Sequence, residues 1–204
     1  MFDIFVGVDP SINSTGVCVL VYENDNQIDE HFFIIKPDKL TKKEQTAEEK
    51  YIKQFEYMLY DKMTPDKEST NTFSELCKTK NFIKICNSVK EIINKYRIKY
   101  QGMTRFHVCQ EGISYGSKNK TKSIFDLAGL NFMLRWAVIG IYDADLTIGT
   151  PGEIKKFASG NGNCNKDIMV SLFQASHFGF DLPKLDDIAD AYWMAKYAKN
   201  IIEI

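Results

Sequence analysis

The stretch that most constrains this chain is Phe2 to Leu20, FDIFVGVDPSINSTGVCVL. Apolar residues run up to Val8 and Asp9 interrupts them. A turn built from Pro10, Ser11, Asn13, Ser14 and Gly16 follows, and then a second apolar run. The pattern predicts a β-hairpin with a longer loop. A carboxylate at the end of a buried strand is costly unless something pairs with it. Asp9 therefore either holds a metal ion, with other carboxylates brought to it by the rest of the chain, or caps the turn, as Asp-Pro-Ser sequences do.

The 204 residues are enough for one domain, residues 1–204, with a sizeable core. A formal net charge of -1 gives no global attraction to nucleic acid, so any such binding must come from a local basic surface. The cysteines Cys18, Cys77, Cys86, Cys109 and Cys164 are odd in number, far apart and without a CxxC pair. Neither a disulfide framework nor a zinc site is suggested, and free thiols in a reducing, cytoplasmic compartment are expected. The N-terminal apolar run lacks a charged leader, so no signal peptide is expected. Phe132 to Tyr142 contains Arg135 and is too short to span a bilayer.

A third strand is expected at His31 to Ile35, closed by Lys36 and Pro37 and forming an antiparallel meander with the hairpin. Tyr51, Phe55, Met58 and Leu59 recur at helical spacing, and Pro65 within a polar run ends that helix. Phe73 to Ile98 is helical again, with Phe82, Ile85, Val89, Ile92, Ile93 and Tyr96 three or four apart. Residues 37–104 are thus expected to form an enlarged helical segment covering the sheet. Phe106 to Gln110 reads as a strand ending in Glu111, the arrangement already seen at Asp9. GISYGSKNKTKS after it reads as a functional loop. Ile124 to Tyr142 is an apolar helix, and Asp145 to Gly149 a short strand. Thr150-Pro151 opens a helix to Ala158, and Asn165 opens another through Ser176. A final helix spans about Leu185 to Ile201. Trp136 and Trp193 are expected in the core or partly at a dimer interface, and His107 as a satisfied core histidine. The order of elements is an α/β layer plan.

The final helix carries LDDIADAYWMAKYA, in which Asp187 and Asp190 project on one face and can share a ligand. Asp186 and Asp187 also suit a helix's first turn, where the dipole favours acids, and Asp186 competes with Asp187 as the ligand, the spacing to Asp190 preferring Asp187 with Asp186 as a helix cap. Carboxylates at two strand ends and on one helix match the needs of a two-magnesium site, because Mg²⁺ wants oxygen ligands and keeps waters. So many carboxylates packed without cations would repel one another. Lys118, Lys120 and Lys122 follow Glu111, and Lys155, Lys156 and Lys166 precede the acidic helix. They either neutralise phosphates or form solvated surface.

The pattern G-x-D-P-S-x-x-x-T-G at Gly7 to Gly16, the strand-ending Glu111, the stretch GNGNCNKDIMV and D-x-x-D-A at Asp187 to Ala191 resemble the RuvC-type Holliday junction resolvases. The resemblance runs from about Phe2 to Ala198. It implies a ribonuclease-H-like fold, a mixed five-stranded sheet flanked by helices. It also implies a homodimer that cuts four-way DNA junctions with two Mg²⁺ ions per active site, Mn²⁺ being able to substitute. The family's acids fall on Asp9, Glu111, Asp187 and Asp190 as metal ligands and catalytic residues, and its active-site lysine falls on Lys166. Metal-bound water at the Asp9 and Glu111 centre would attack phosphorus, with Asp187 or Asp190 holding the second ion. Two departures stand out. Lys36 to Arg105 is longer than in the bacterial enzymes and closer to phage or viral members. Tyr115, the counterpart of an aromatic that helps to open the junction, is offset from its usual place and can equally be a packed loop residue. The implied location is the cytosol of a bacterium or an infected cell. Other branched DNA, an RNA-DNA hybrid, or junction binding without catalysis remain alternative functions. The hairpin also resembles the phosphate loop of sugar-kinase and actin-like ATPases, but those need two such domains.

Overall fold

The structure is a computed structural model that describes residues 1–113, 121–142 and 144–202, without the side chains of 121–123 and 141–142. Three strands come first: β1 (Phe2–Asp9), β2 (Thr15–Glu23) and β3 (Asn26–Pro37). Asn24 and Asp25, both with positive φ, make the two-residue turn between β2 and β3, the geometry that matches strand twist. Then follow α1 (Lys42–Tyr51), β4 (Phe55–Tyr60), α2 (Asn71–Lys99), β5 (Thr104–Glu111), α3 (Thr121–Tyr142) and β6 (Asp145–Gly149). Three helices end the order: α4 (Pro151–Ser159), α5 (Lys166–Ser176) and α6 (Leu185–Ile202).

The six strands form one sheet in the order β4-β3-β2-β1-β5-β6. β2 runs antiparallel to both its neighbours, while β1–β5, β3–β4 and β5–β6 pair in parallel. Every strand but β2 therefore ends at the same edge of the sheet, and Asp9 and Glu111 are the last residues of adjacent strands there. Val8 pairs with Gln110, so the next step of the register sets Asp9 beside Glu111.

Alternation along the strands sorts the core into two layers. Ile4, Val6, Val8, Val17 and Val19 pack on one face with Ile85, Val89 and Ile92 of α2 and Leu130 and Leu134 of α3. Phe5, Cys18, Leu20, Phe32 and Ile34 pack on the other with Met169 and Phe173 of α5 and Ile188, Ala191 and Ala195 of α6. By the same alternation Asp9 and Glu111 face the α6 side. All five cysteines are buried free thiols. His107 is buried in β5 within ion-pair reach of Asp3 and Asp145.

Three expectations need correction. The helix read over Tyr51 to Leu59 is instead the end of α1 followed by strand β4. Tyr51, Phe55, Met58 and Leu59 satisfy a helical period, but the aromatic-rich run FEYMLY gains more by pairing along the open edge of β3 and burying Phe55, Tyr57 and Tyr60. The charged stretch before it supplies α1, opened by a capping box between Thr41 and Glu44. The sheet consequently has six strands rather than five, and segment 37–104 is not wholly helical. Trp136 is 69% exposed on α3 rather than in the core. Among the described residues no helix is long and apolar enough to cross a membrane.

Candidate active site

Two glycines let α6 reach the strand ends. A Cβ at Gly7 would collide with the Ala191 carbonyl, and one at Gly16 with the Asp187 carbonyl. The α6 backbone thus lies directly on β1 and β2, and its first turns carry Asp187 and Asp190 to Asp9. The turn between β1 and β2 is pinned locally. Thr15 donates its hydroxyl to the Ser11 carbonyl at 2.6 Å and accepts from the Ser11 amide at 3.2 Å. Tyr60 at the end of β4 donates to the Ile12 carbonyl at 3.1 Å, so the inserted strand also holds this turn. Ser14, from the same turn, donates to Asp187 Oδ2 at 2.5 Å.

Lys166 is the first residue of α5, after the N-cap Asn165, whose side chain accepts from the Ile168 amide. Its ammonium lies 2.8 Å from Asp186, 3.7 Å from Asp190 and 4.0 Å from Asp187. Glu111, Lys155, Lys166 and Asp190 line a cavity of about 200 Å³ together with Ile154, Met169 and Met194.

The electrostatics are those of acids short of cations. Asp9 keeps some exposure at the mouth of the site, but surrounding protein makes burial the largest cause raising its pKa well above the ordinary value. Glu111, Asp190 and Asp187 push it further and Lys166 opposes them. Burial, then repulsion from Asp190, lifts Glu111 to about 6 against Lys166 and Lys155. Burial also raises Asp187, which the Ser14 hydroxyl partly relieves, and Asp190, which Lys166 partly relieves. Burial works against the Lys166 ammonium, yet its hydrogen bond to Asp186 and the surrounding carboxylates hold its pKa above the usual lysine value.

The fold therefore brings Asp9, Glu111, Asp187, Asp190 and Lys166 into one electrostatic neighbourhood, with Lys155 on the cavity wall. Lys156 is exposed on α4 and does not line that cavity. Tyr115, Lys118 and Lys120 lie outside the described residues, as does the side chain of Lys122. As the side chains are placed, no three His, Cys, Asp or Glu among the described residues form a group that could hold a metal ion. The donors are nevertheless oxygen donors, crowded and under-compensated, which is the chemistry that suits magnesium. The Lys166 ammonium, held by Asp186 within 4.0 Å of Asp190 and Asp187, supplies positive charge beside the acids.

Sequence reasoning missed the roles of two residues. Ser14 reads only as a turn former, although its place in the turn after Asp9 was visible. Asp186 reads as a cap or as a rival of Asp187 for the ligand, and its pairing with Lys166 goes unread, although it stands four residues before Asp190, a spacing that also shares a helix face.

No protein-family model matches the chain, and no characterised protein matches it by sequence. By fold it is similar to RuvC of Thermus thermophilus, with 13% identity and a TM-score of 0.53 over 96% of this chain and 91% of that one. It is likewise similar to T. thermophilus RuvC in complex with Holliday junction substrate, with 13% identity and a TM-score of 0.55 over 100% of this chain and 96% of that one. The chain thus has a RuvC-like, ribonuclease-H-like fold, a mixed α/β sheet flanked by helices, with six strands.

Proposed function

We propose that this chain is a structure-selective endonuclease that resolves four-way DNA junctions by metal-dependent phosphodiester hydrolysis. The observation that carries the reading is the convergence of Asp9, Glu111, Asp187 and Asp190, with Lys166, at one sheet edge of a RuvC-like fold. Two Mg²⁺ or Mn²⁺ ions held by these four acids would activate a water and stabilise the departing 3′ oxygen. The carboxylates bind and orient, and their crowding makes the site avid for positive charge. Lys166 and Lys155 face the same cavity and neutralise the scissile phosphate, which strengthens in the transition state as charge develops. Tyr115, Lys118, Lys120, Lys122 and Lys156 complete the DNA surface in this reading, contacting backbone rather than bases.

The same reading includes a homodimer, and α3 offers the face for it. Phe125, Phe132, Trp136 and Ile139, all more than half exposed, recur along one side of α3. The Arg135 guanidinium lies 5.0 Å from the centre of the Phe132 ring, and its buried Nε has no hydrogen-bond partner. Trp136→Glu should sediment as a monomer if this face joins two copies.

The deciding test incubates purified protein and Mg²⁺ with a four-way junction, a fork and an RNA-DNA hybrid side by side. Symmetric nicking of the junction is expected. Asp9→Asn should abolish it while leaving junction binding largely intact. Cleavage of the hybrid alone, or undiminished cleavage by the variant, rejects the reading.

A further inference from the structure

We propose that Asp186 is a positioning residue that fixes the Lys166 ammonium over the acidic site and is not itself one of the metal ligands. Lys166 stands where its own helix gives it no support: it begins α5, and the positive end of a helix dipole repels an ammonium. A lysine side chain is also flexible, so a defined position requires a partner from another element. That partner is Asp186 in the first turn of α6, at 2.8 Å, whereas Asp190 and Asp187 lie at 3.7 and 4.0 Å.

The three aspartates divide the work by burial. The Asp186 side chain is 39% exposed, against 12% for Asp187 and 24% for Asp190, so it sits on the solvent side of the cluster. Asp187 is already held by Ser14. Asp186 and Asp190 are one helical turn apart, and the ammonium reaches toward both. Asp186 keeps the lysine at the outer rim of the acids, where a phosphate would arrive. Without it the ammonium would sink onto Asp190 and Asp187 and compete for the charge that a divalent cation needs.

The catalytic consequence rests on the nuclease reading above, but the contact can be tested apart from it. A water-soluble carbodiimide activates a carboxylate as an O-acylisourea. Attack by the lysine amine then forms an amide and releases the urea. Digestion and mass spectrometry should find residue 166 joined to residue 186. A link confined to Asp187 or Asp190, or no link from Lys166, overturns the proposal even if the protein cleaves nothing.

In the cleavage assay, Asp186→Asn should lower kcat about tenfold with KM for the junction unchanged. Asp186→Glu should restore most of that loss. In a Lys166→Gln background, Asp186→Asn should cost nothing further, because the two residues act as one unit. An equal loss in that background, or a rise there in the Mg²⁺ concentration required, where no ammonium is left to compete, would make Asp186 a ligand and defeat the proposal.

Discussion

β1 and β5 carry a charged cluster at each end, and the two clusters behave oppositely. At the start of β1, Asp3 lies 2.9 Å from the Arg105 guanidinium and 3.2 Å from His107, which also reaches Asp145 at 3.0 Å. Burial tends to raise Asp3, but the hydrogen bonds and charges of Arg105 and His107 outweigh it and hold its pKa below the usual value. At the other end, Asp9 meets burial and three carboxylates, opposed by Lys166, and its pKa rises. The same two strands thus end in a matched cluster and an unmatched one. Natural folds satisfy buried charges unless a ligand is meant to complete them, so the unmatched end is the candidate for chemistry.

Replacement of an acid at each end gives the largest contrast. Asp9→Asn should lower cleavage by ~10³-fold or more while leaving thermal stability unchanged or slightly raised, because it removes a repelled carboxylate. Asp3→Asn should leave cleavage intact and cost at most about 1 kcal/mol, since Arg105 is well exposed and the pair is screened. Nuclease assays and thermal melts of both variants check this, and a reversed pattern would break the comparison.

pH separates the two ends by sign. Glu111 is raised from 4.5 to about 6, so between these values the folded state binds the proton more tightly than the unfolded chain. Its stabilising contribution is full below the unfolded value and is lost as pH rises through about 6, a change of about 2 kcal/mol. Asp3, lowered by its partners, contributes in the opposite sense: its stability is present above the unfolded value and lost as pH falls. Urea denaturation in a chelator at pH 4.5 and 6.5 should show the Glu111 loss in the wild type and not in Glu111→Gln. Added Mg²⁺ should offset it at the higher pH.

Ser14 sharpens the contrast within the unmatched end, being a neutral donor that relieves one acid without neutralising it. Ser14→Ala should raise the Mg²⁺ concentration for half-maximal cleavage about tenfold, as loss of a residue orienting a ligand does. Calorimetric titration of Mn²⁺ into both proteins reads the same shift without catalysis.

Much of this edge is legible in the sequence, and the reason is periodicity. Asp9 and Glu111 each close an apolar run where strand alternation must stop, and Asp187 and Asp190 share a face of a helix whose remaining stripe is apolar. The lower legibility of Ser14 and Asp186 has a tertiary cause. Their partners are fixed by how closely α6 approaches Gly7 and Gly16, and by where α5 begins against α6. β4 escaped notice because Tyr51 to Leu59 fits two periods, and only the open edge of β3 decides between them. Core and interface both stayed open for Trp136 because an apolar helix reads the same whether it meets a core or a partner.

The inserted strand offers the smallest and most discriminating test. Tyr60 closes β4, is buried, and reaches the Ile12 carbonyl within the turn that follows Asp9. If residues 37–104 only cover the sheet, losing that phenol is a stability effect and nothing more. Tyr60→Phe removes one hydrogen bond without changing the packed ring, at a cost of about 1 kcal/mol. Because the carbonyl it releases belongs to the loop that also carries Ser14, cleavage by fully folded Tyr60→Phe should fall a few-fold, on the order of the effect of a loosened catalytic group. Asp3→Asn, matched to it in stability loss, should show no such fall. Equal cleavage by the two variants would return the insertion to a covering role, and a loss specific to Tyr60→Phe would make it part of the scaffold that holds the unmatched acids.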